Sequence, residues 1–170
     1  MDDMKSVTVL PNSAMDNATY KLGIDIGSTT IKLVISDSDG NSSFSCYRRH
    51  HSNIQETLIG MAVEVKNKLG AAFSFHAMIT GSGGLSLADW VGVPFVQEVI
   101  AVSDAIVIYA PETDVAIEIG GEDAKIIYFS NTIEQRMNGI CAGGTGSFID
   151  QMAMLLDTDG LGFGECYACC

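Results

Sequence analysis

The sequence predicts an α/β protein built from two related halves, and three observations carry that expectation. Hydrophobic spacing alternates between period 2 and helical spacing in the order β-β-β-α-β-α-α; the strand pattern restarts after Pro111; and a strand, glycine turn, strand unit occurs near residues 21–37 and again near 114–129. Such an internal repeat implies two similar domains with a ligand between them.

Composition sets the outer limits. The chain has 170 residues, 47% of them hydrophobic and 18% charged, which is the balance of a folded globular protein with a sizeable core. Nine Lys and Arg against 21 Asp and Glu give a net charge of −12, which repels polyanions and argues against nucleic acid as a partner. No apolar run reaches membrane-spanning length, and the start Met1-Asp2-Asp3-Met4-Lys5 lacks the basic and apolar parts of a secretory signal, so a cytoplasmic protein with no membrane partner is expected. Five cysteines do not follow the spacing of a secreted disulfide framework, which leaves metal binding or burial.

Residues 1–19 are polar and unpatterned, and read as a flexible leader. Lys21 to Ile26 and Ile31 to Asp37 are β-rich runs parted by Gly27-Ser28-Thr29-Thr30. The turn Asp37-Ser38-Asp39-Gly40-Asn41 leads to a third strand from Ser43 to Arg48, which together make an antiparallel meander. Ile54, Leu58, Met61, Ala62, Val65 and Leu69 recur at helical spacing behind Asn53 as N-cap, and predict a crossover helix. His76 to Thr80 reads as a buried strand running into Gly81-Ser82-Gly83-Gly84, followed by helices over Leu85 to Val91 and Val96 to Tyr109. The first domain is thus expected over 20–111. The second begins over 112–158, with strands at Asp114 to Ile119, Ala124 to Phe129 and Thr132 to Met137 and a helix from about Thr145 to Leu156; a divergent end covers 159–170.

The two glycine turns carry the first chemistry. In Asp25-Ile26-Gly27-Ser28-Thr29-Thr30-Ile31-Lys32 a strand-end carboxylate precedes a tight turn rich in hydroxyls. Glycine lets a backbone approach an anion, N–H groups and hydroxyls donate to its oxygens, Lys32 can add charge, and Asp25 can hold Mg²⁺ through water. Taken alone, the segment reads equally well as an ordinary hairpin turn. The second turn, Glu118-Ile119-Gly120-Gly121-Glu122-Asp123-Ala124-Lys125, repeats the carboxylate, glycine and lysine, and the pair shifts the reading towards phosphate.

Cys141 lies in Met137-Asn138-Gly139-Ile140-Cys141-Ala142-Gly143-Gly144-Thr145-Gly146, at the mouth of a glycine-rich turn that opens a helix. A thiol at a helix N-terminus meets unpaired N–H groups and the positive end of the helix dipole, conditions that favour a thiolate fit for metal binding. Without the flanking motifs, a small buried cysteine capping a turn is the simpler reading.

Taken in order, Ile24 to Thr30, Ile119 to Lys125 and Asn138 to Gly146 resemble the BadF/BadG/BcrA/BcrD ATPase family, the activators of 2-hydroxyacyl-CoA dehydratases and ATPase subunits of benzoyl-CoA reductases. The resemblance covers roughly residues 20–158. It implies an actin-like ATPase fold of two ribonuclease-H-like domains, the first complete here and the second cut short. It also implies a homodimer with one [4Fe-4S] cluster shared between subunits, and ATP hydrolysis that drives a low-potential electron into an acyl-CoA dehydratase or reductase component. A ferredoxin or flavodoxin would supply that electron.

Carried over by motif, Asp25, Gly27, Ser28, Thr29 and Thr30 form the first phosphate loop for ATP or ADP, and Gly120, Gly121 and Asp123 the second. Lys32 and Lys125 are the charge partners, Asp25 and Glu118 the catalytic carboxylates, and Cys141 a cluster ligand. The family's second cluster ligand has no counterpart: Gly164-Glu165-Cys166-Tyr167-Ala168-Cys169-Cys170 departs from the pattern, and Cys166 and Cys169 read as a ragged end rather than a metal site. A sugar-type small-molecule kinase of the same fold and an inactive fragment or interaction domain remain alternatives.

Other residues are read as structural. Gly81 to Gly84 makes a strand-to-helix connection that could touch a nucleotide; Glu98, Ser103 and Asp104 lie on a helix that could line the cleft, with a solvated face the default for its charges; and His50 and His51 are read as a solvent-facing edge. His76 is structural, and Leu58, Met61, Met152 and Leu155 are core or interface residues.

Overall fold

A computed structural model describes residues 20–69, 74–129, 132–140 and 143–158. The expected leader, Cys141, Cys166, Cys169 and Cys170 lie outside the described residues. The chain forms two compact units that divide between Ala101 and Val102, inside a helix whose far end precedes the Pro111 boundary read from the sequence.

The first unit holds β1 (Tyr20–Ile26), β2 (Thr30–Asp37), β3 (Ser42–Arg49), α1 (Ile54–Leu69), β4 (Phe75–Thr80) and α2 (Leu85–Val91). Its four-stranded sheet has the order β3-β2-β1-β4; β1 to β3 form the expected antiparallel meander, and β4 returns parallel to β1 after the α1 crossover. The alternation along β2 is complete, with Ile31, Leu33 and Ile35 buried and Lys32 and Val34 exposed. These side chains share a core with Ile26, Phe44 and Ile79 and with Met61 and Val65, one helical turn apart on α1. At the start of α1 the Asn53 carbonyl oxygen Oδ1 accepts the Glu56 N–H (3.2 Å) and its amide donates to Glu56 Oε2 (2.5 Å), a reciprocal cap that fixes the helix start.

Beyond β4 the sheet gains one further rung. Ile79 and Phe95 form a parallel bridge, in which Ile79 N–H donates to Pro94 O (3.0 Å) and Val96 N–H to Ile79 O (2.9 Å). Val96 is therefore held by the sheet, and α3 (Glu98–Tyr109) starts two residues later than its hydrophobic spacing predicts. α2 ends at Gly92 with φ 68°, a left-handed cap open to glycine at little cost.

The second unit continues with β5 (Val115–Ile119), β6 (Ala124–Phe129), β7 (Ile133–Met137) and α4 (Gly146–Leu155). Its strands form an antiparallel sheet in sequence order. Ile127 and Ala153 are its buried apolar residues among those described, whereas Ile117, Ile119, Met154 and Leu155 are exposed, so Leu155 is not a core residue within the described structure. Among the described residues no helix is long and apolar enough to cross a membrane.

Candidate functional site

Each unit presents one glycine turn, and the two are built alike. In the first, β1 and β2 pair so that Asp25 faces Lys32, and Lys32 Nζ donates to Asp25 Oδ2 at 2.8 Å. The turn closes with Gly27 N–H donating to Thr30 O at 2.9 Å. In the second, Glu118 faces Lys125 across β5 and β6, with Nζ 3.3 Å from Glu118 Oε1, and Gly120 N–H donates to Asp123 O at 2.8 Å. Carboxylate, glycine and lysine thus occupy the same register positions in both turns, and the lysine lies seven residues after the carboxylate in each.

The two turns differ in burial. Lys32 is half-exposed; burial lowers its pKa, but the hydrogen bond and charge of Asp25 outweigh that and hold it above 10.5. The Lys125 side chain is only 8% exposed and lies between Glu118 and Asp123, at 3.3 Å from each. Gly120 lies close under Asp123: a Cβ there would meet Asp123 Oδ1 at 2.5 Å and the Asp123 carbonyl oxygen at 3.2 Å, so a larger residue would displace the Asp123 side chain.

The first turn offers several groups to an oxyanion or a hydrated cation. Asp25 Oδ1 is buried and has no hydrogen-bond partner among the described residues, and the same is true of Thr80 Oγ1 on β4, the residue paired with Asp25 in the parallel register. The N–H groups of Ser28 and Thr29 also have no partner among the described residues. Gly27 N–H, by contrast, is committed to Thr30, so the turn presents fewer amides than the sequence pattern implies. Gly81-Ser82-Gly83-Gly84 connects β4 to α2 and packs onto the start of this turn, with Gly83 N–H donating to Ile26 O at 2.9 Å. Gly81 has φ 92°, and a Cβ on it would meet the Ile26 carbonyl oxygen and lie 2.5 Å from Asp25 Oδ1.

One histidine departs from expectation. His50 is not on a solvent-facing edge: it is 6% exposed, its N–H donates to Thr29 O (3.2 Å) and its ring Nε2 sits 3.2 Å from Gly27 O. The sequence placed it beside exposed Arg48, Arg49 and His51, and a polar run at a strand end gives no sign that one member folds inward. Ser103 on α3 is also buried, at 3% exposure.

In the second unit the turn also caps a helix. Gly146 N–H donates to Gly120 O (3.0 Å) and Ser147 N–H to Gly121 O (2.8 Å), so the glycine carbonyls satisfy the first amides of α4 in place of a side-chain cap. Thr145, at the N-cap position, is fully buried, and its Oγ1 has no partner among the described residues. Asn138 braces the segment leading to this helix: its Oδ1 accepts the Ala124 N–H (3.0 Å), while Nδ2 donates to Ile140 O (2.7 Å) and Gly143 O (3.2 Å). Thr80, Asn138 and Thr145 were not singled out as functional by sequence reasoning; Asn138 and Thr145 lie within the cysteine motif, and their proximity to it was the available signal. Among the described residues there is no group of three or more His, Cys, Asp or Glu placed to hold a metal ion.

The chain is similar to known proteins in sequence and fold. The chain is 31% identical over 149 residues to the 2-hydroxyisocaproyl-CoA dehydratase activator of Clostridioides difficile, covering 82% of this chain and 53% of that protein. The solved structure of the activator of the 2-hydroxyisocaproyl-CoA dehydratase from Clostridium difficile, with bound ADPNP, superposes with a TM-score of 0.69 at 28% identity over 83% of this chain and 53% of the other. Component A of the Acidaminococcus fermentans (R)-2-hydroxyglutaryl-CoA dehydratase superposes with a TM-score of 0.68 at 27% identity, covering 84% of this chain and 56% of that one. The chain therefore has the actin-like ATPase fold and spans about half the length of the relatives it matches. The model of the BadF/BadG/BcrA/BcrD ATPase family matches residues 22–165, through both glycine turns and the cysteine motif, and the chain belongs to that family.

Proposed function

We propose that this chain is part of an ATP-dependent activator that couples ATP hydrolysis to low-potential electron transfer into a 2-hydroxyacyl-CoA dehydratase or benzoyl-CoA reductase-type partner. The observation that carries the reading is the duplicated turn, in which Asp25 with Lys32 and Glu118 with Lys125 hold equivalent places around Gly27 and Gly120. The same carboxylate, glycine and lysine pattern in two turns of one actin-like fold supports a phosphate-binding role for each turn over two unrelated hairpins.

The residues of the first turn fit a nucleotide with its cation. Ser28, Thr29 and Thr30 bring hydroxyls, Ser28 and Thr29 bring amides, and the spare oxygen of Asp25 suits a hard cation such as Mg²⁺ held through water. On this reading, Glu118 in the second turn has the role of orienting an attacking water, supported by the Lys125 ammonium 3.3 Å from its Oε1, and Gly120, Gly121 and Asp123 belong to the phosphate loop. Cys141 is assigned as one ligand of a [4Fe-4S] cluster on motif alone, and such a cluster would supply one-electron chemistry. A shared cluster needs two thiolates from each chain of a homodimer, so a second ligand belongs to the reading as well.

Anaerobic purification of the intact protein, with iron and sulfide analysis and a nucleotide hydrolysis assay, tests this. Brown protein that hydrolyses ATP, and colourless protein after Cys141→Ser, is the expected result. Full iron content in the Cys141→Ser protein would overturn the ligand assignment, and absence of hydrolysis after Asp25→Asn but also before it would overturn the ATPase reading.

A further inference from the structure

His50 follows β3 and turns back beneath the first glycine turn. Each polar atom of the residue has a partner: N–H to Thr29 O (3.2 Å), O from Asn53 N–H (2.6 Å), Nδ1 from Ser52 N–H (3.1 Å) and Nε2 against Gly27 O (3.2 Å). The partners fix the tautomer. A backbone N–H can only donate, so Nδ1 accepts; a carbonyl oxygen can only accept, so the ring carries its proton on Nε2.

This arrangement has a conformational cost. His51 and Ser52 both take positive φ, 45° and 65°, a left-handed region that non-glycine residues adopt only at a cost. The strained pair returns the chain so that Ser52 N–H meets the ring.

The consequence falls on the peptide between Gly27 and Ser28. In a trans peptide the C=O and the following N–H point in opposite directions. With Gly27 C=O drawn to His50 Nε2, the Ser28 N–H points away from the histidine, and it has no partner among the described residues. Glycine flanks that peptide, and glycine's wide conformational range makes it easy to rotate unless something holds it.

We propose that His50 is a positioning residue of the first phosphate loop, holding the Gly27–Ser28 peptide so that Ser28 N–H is presented to a phosphate oxygen of the nucleotide. The proposal rests on the nucleotide reading of this turn. His50 itself touches no phosphate; it acts through the carbonyl of Gly27.

Calorimetric titration of the intact protein with ADP and Mg²⁺, on wild type and two variants, tests it. His50→Asn keeps an acceptor near the Nδ1 position for Ser52 but has no donor that reaches Gly27; His50→Gln restores a nitrogen donor near the Nε2 position. The expected outcome is about tenfold weaker ADP binding for His50→Asn, a change of about 1.4 kcal/mol, with His50→Gln within about threefold of wild type. Nitrogen NMR of the wild-type histidine ring is expected to show the Nε2–H tautomer. Wild-type affinity in His50→Asn, or an Nδ1–H ring, overturns the proposal alone; a wild type that binds no ADP overturns the nucleotide reading and the proposal together.

Discussion

Asp25 and Lys32 face each other across β1 and β2 as Glu118 and Lys125 do across β5 and β6, but only the second lysine is buried. Lys125→Met would leave the Glu118 and Asp123 carboxylates, 22% and 42% exposed, without the cation between them, and is expected to destabilise the second unit by about 2–3 kcal/mol, less than a fully buried pair would. Lys32→Met, at a side chain 53% exposed, should cost no more than about 1 kcal/mol. Urea unfolding of the two variants, followed separately in each unit, checks the contrast, and equal losses would contradict it.

Gly81 and Gly23 separate steric need from chance. Gly81→Ala forces a positive φ on alanine and drives its Cβ into Ile26 and Asp25, so a loss of more than about 2 kcal/mol is expected, together with a disturbed first turn. Gly23 lies in β1 with open space around a Cβ, and Gly23→Ala should be neutral or gain about 0.5 kcal/mol. Thermal midpoints of both variants decide the matter.

Asp37 gives the fold a dependence on acid. The Asn41 backbone N–H, then the Asn41 side-chain amide, hold its carboxyl below its ordinary 3.8. Because the folded value is the lower one, the stabilisation is complete above 3.8 and is lost as pH falls through the folded value. Asp37→Asn should lower the thermal midpoint at pH 7, and the gap from wild type should close in strong acid; a gap that widens on acidification would refute this.

Asn138 closes a three-way clamp on Ala124, Ile140 and Gly143. Asn138→Ala leaves a strand N–H and two carbonyls to find other partners, which should cost about 1–3 kcal/mol and speed hydrogen exchange at the Ala124 amide. Asn138→Asp keeps the acceptor for Ala124 but turns a carboxylate towards two carbonyls, and should recover only the protection of Ala124.

Much of this protein was determined by the sequence alone, because its signals are local. The alternation of Ile31, Lys32, Leu33, Val34 and Ile35 states both strand and inward face, and the helical spacing of Ile54, Met61 and Val65 states α1. The glycine turns follow from their own residues, and turn length then sets the register that brings Lys32 opposite Asp25 and Lys125 opposite Glu118. Only the tertiary structure decided what each of these groups meets. His50 and His51 are adjacent and chemically identical, yet one is buried against Gly27 and the other exposed, since burial depends on where β3 ends relative to a turn more than twenty residues earlier. The unmatched oxygens of Asp25 and Thr80 arise in the same way: β1 and β4 lie far apart in the chain, and only their parallel pairing places the two side by side. Periodicity reports which way a residue faces along its own element, whereas burial and hydrogen bonding are settled by residues that the fold brings from elsewhere.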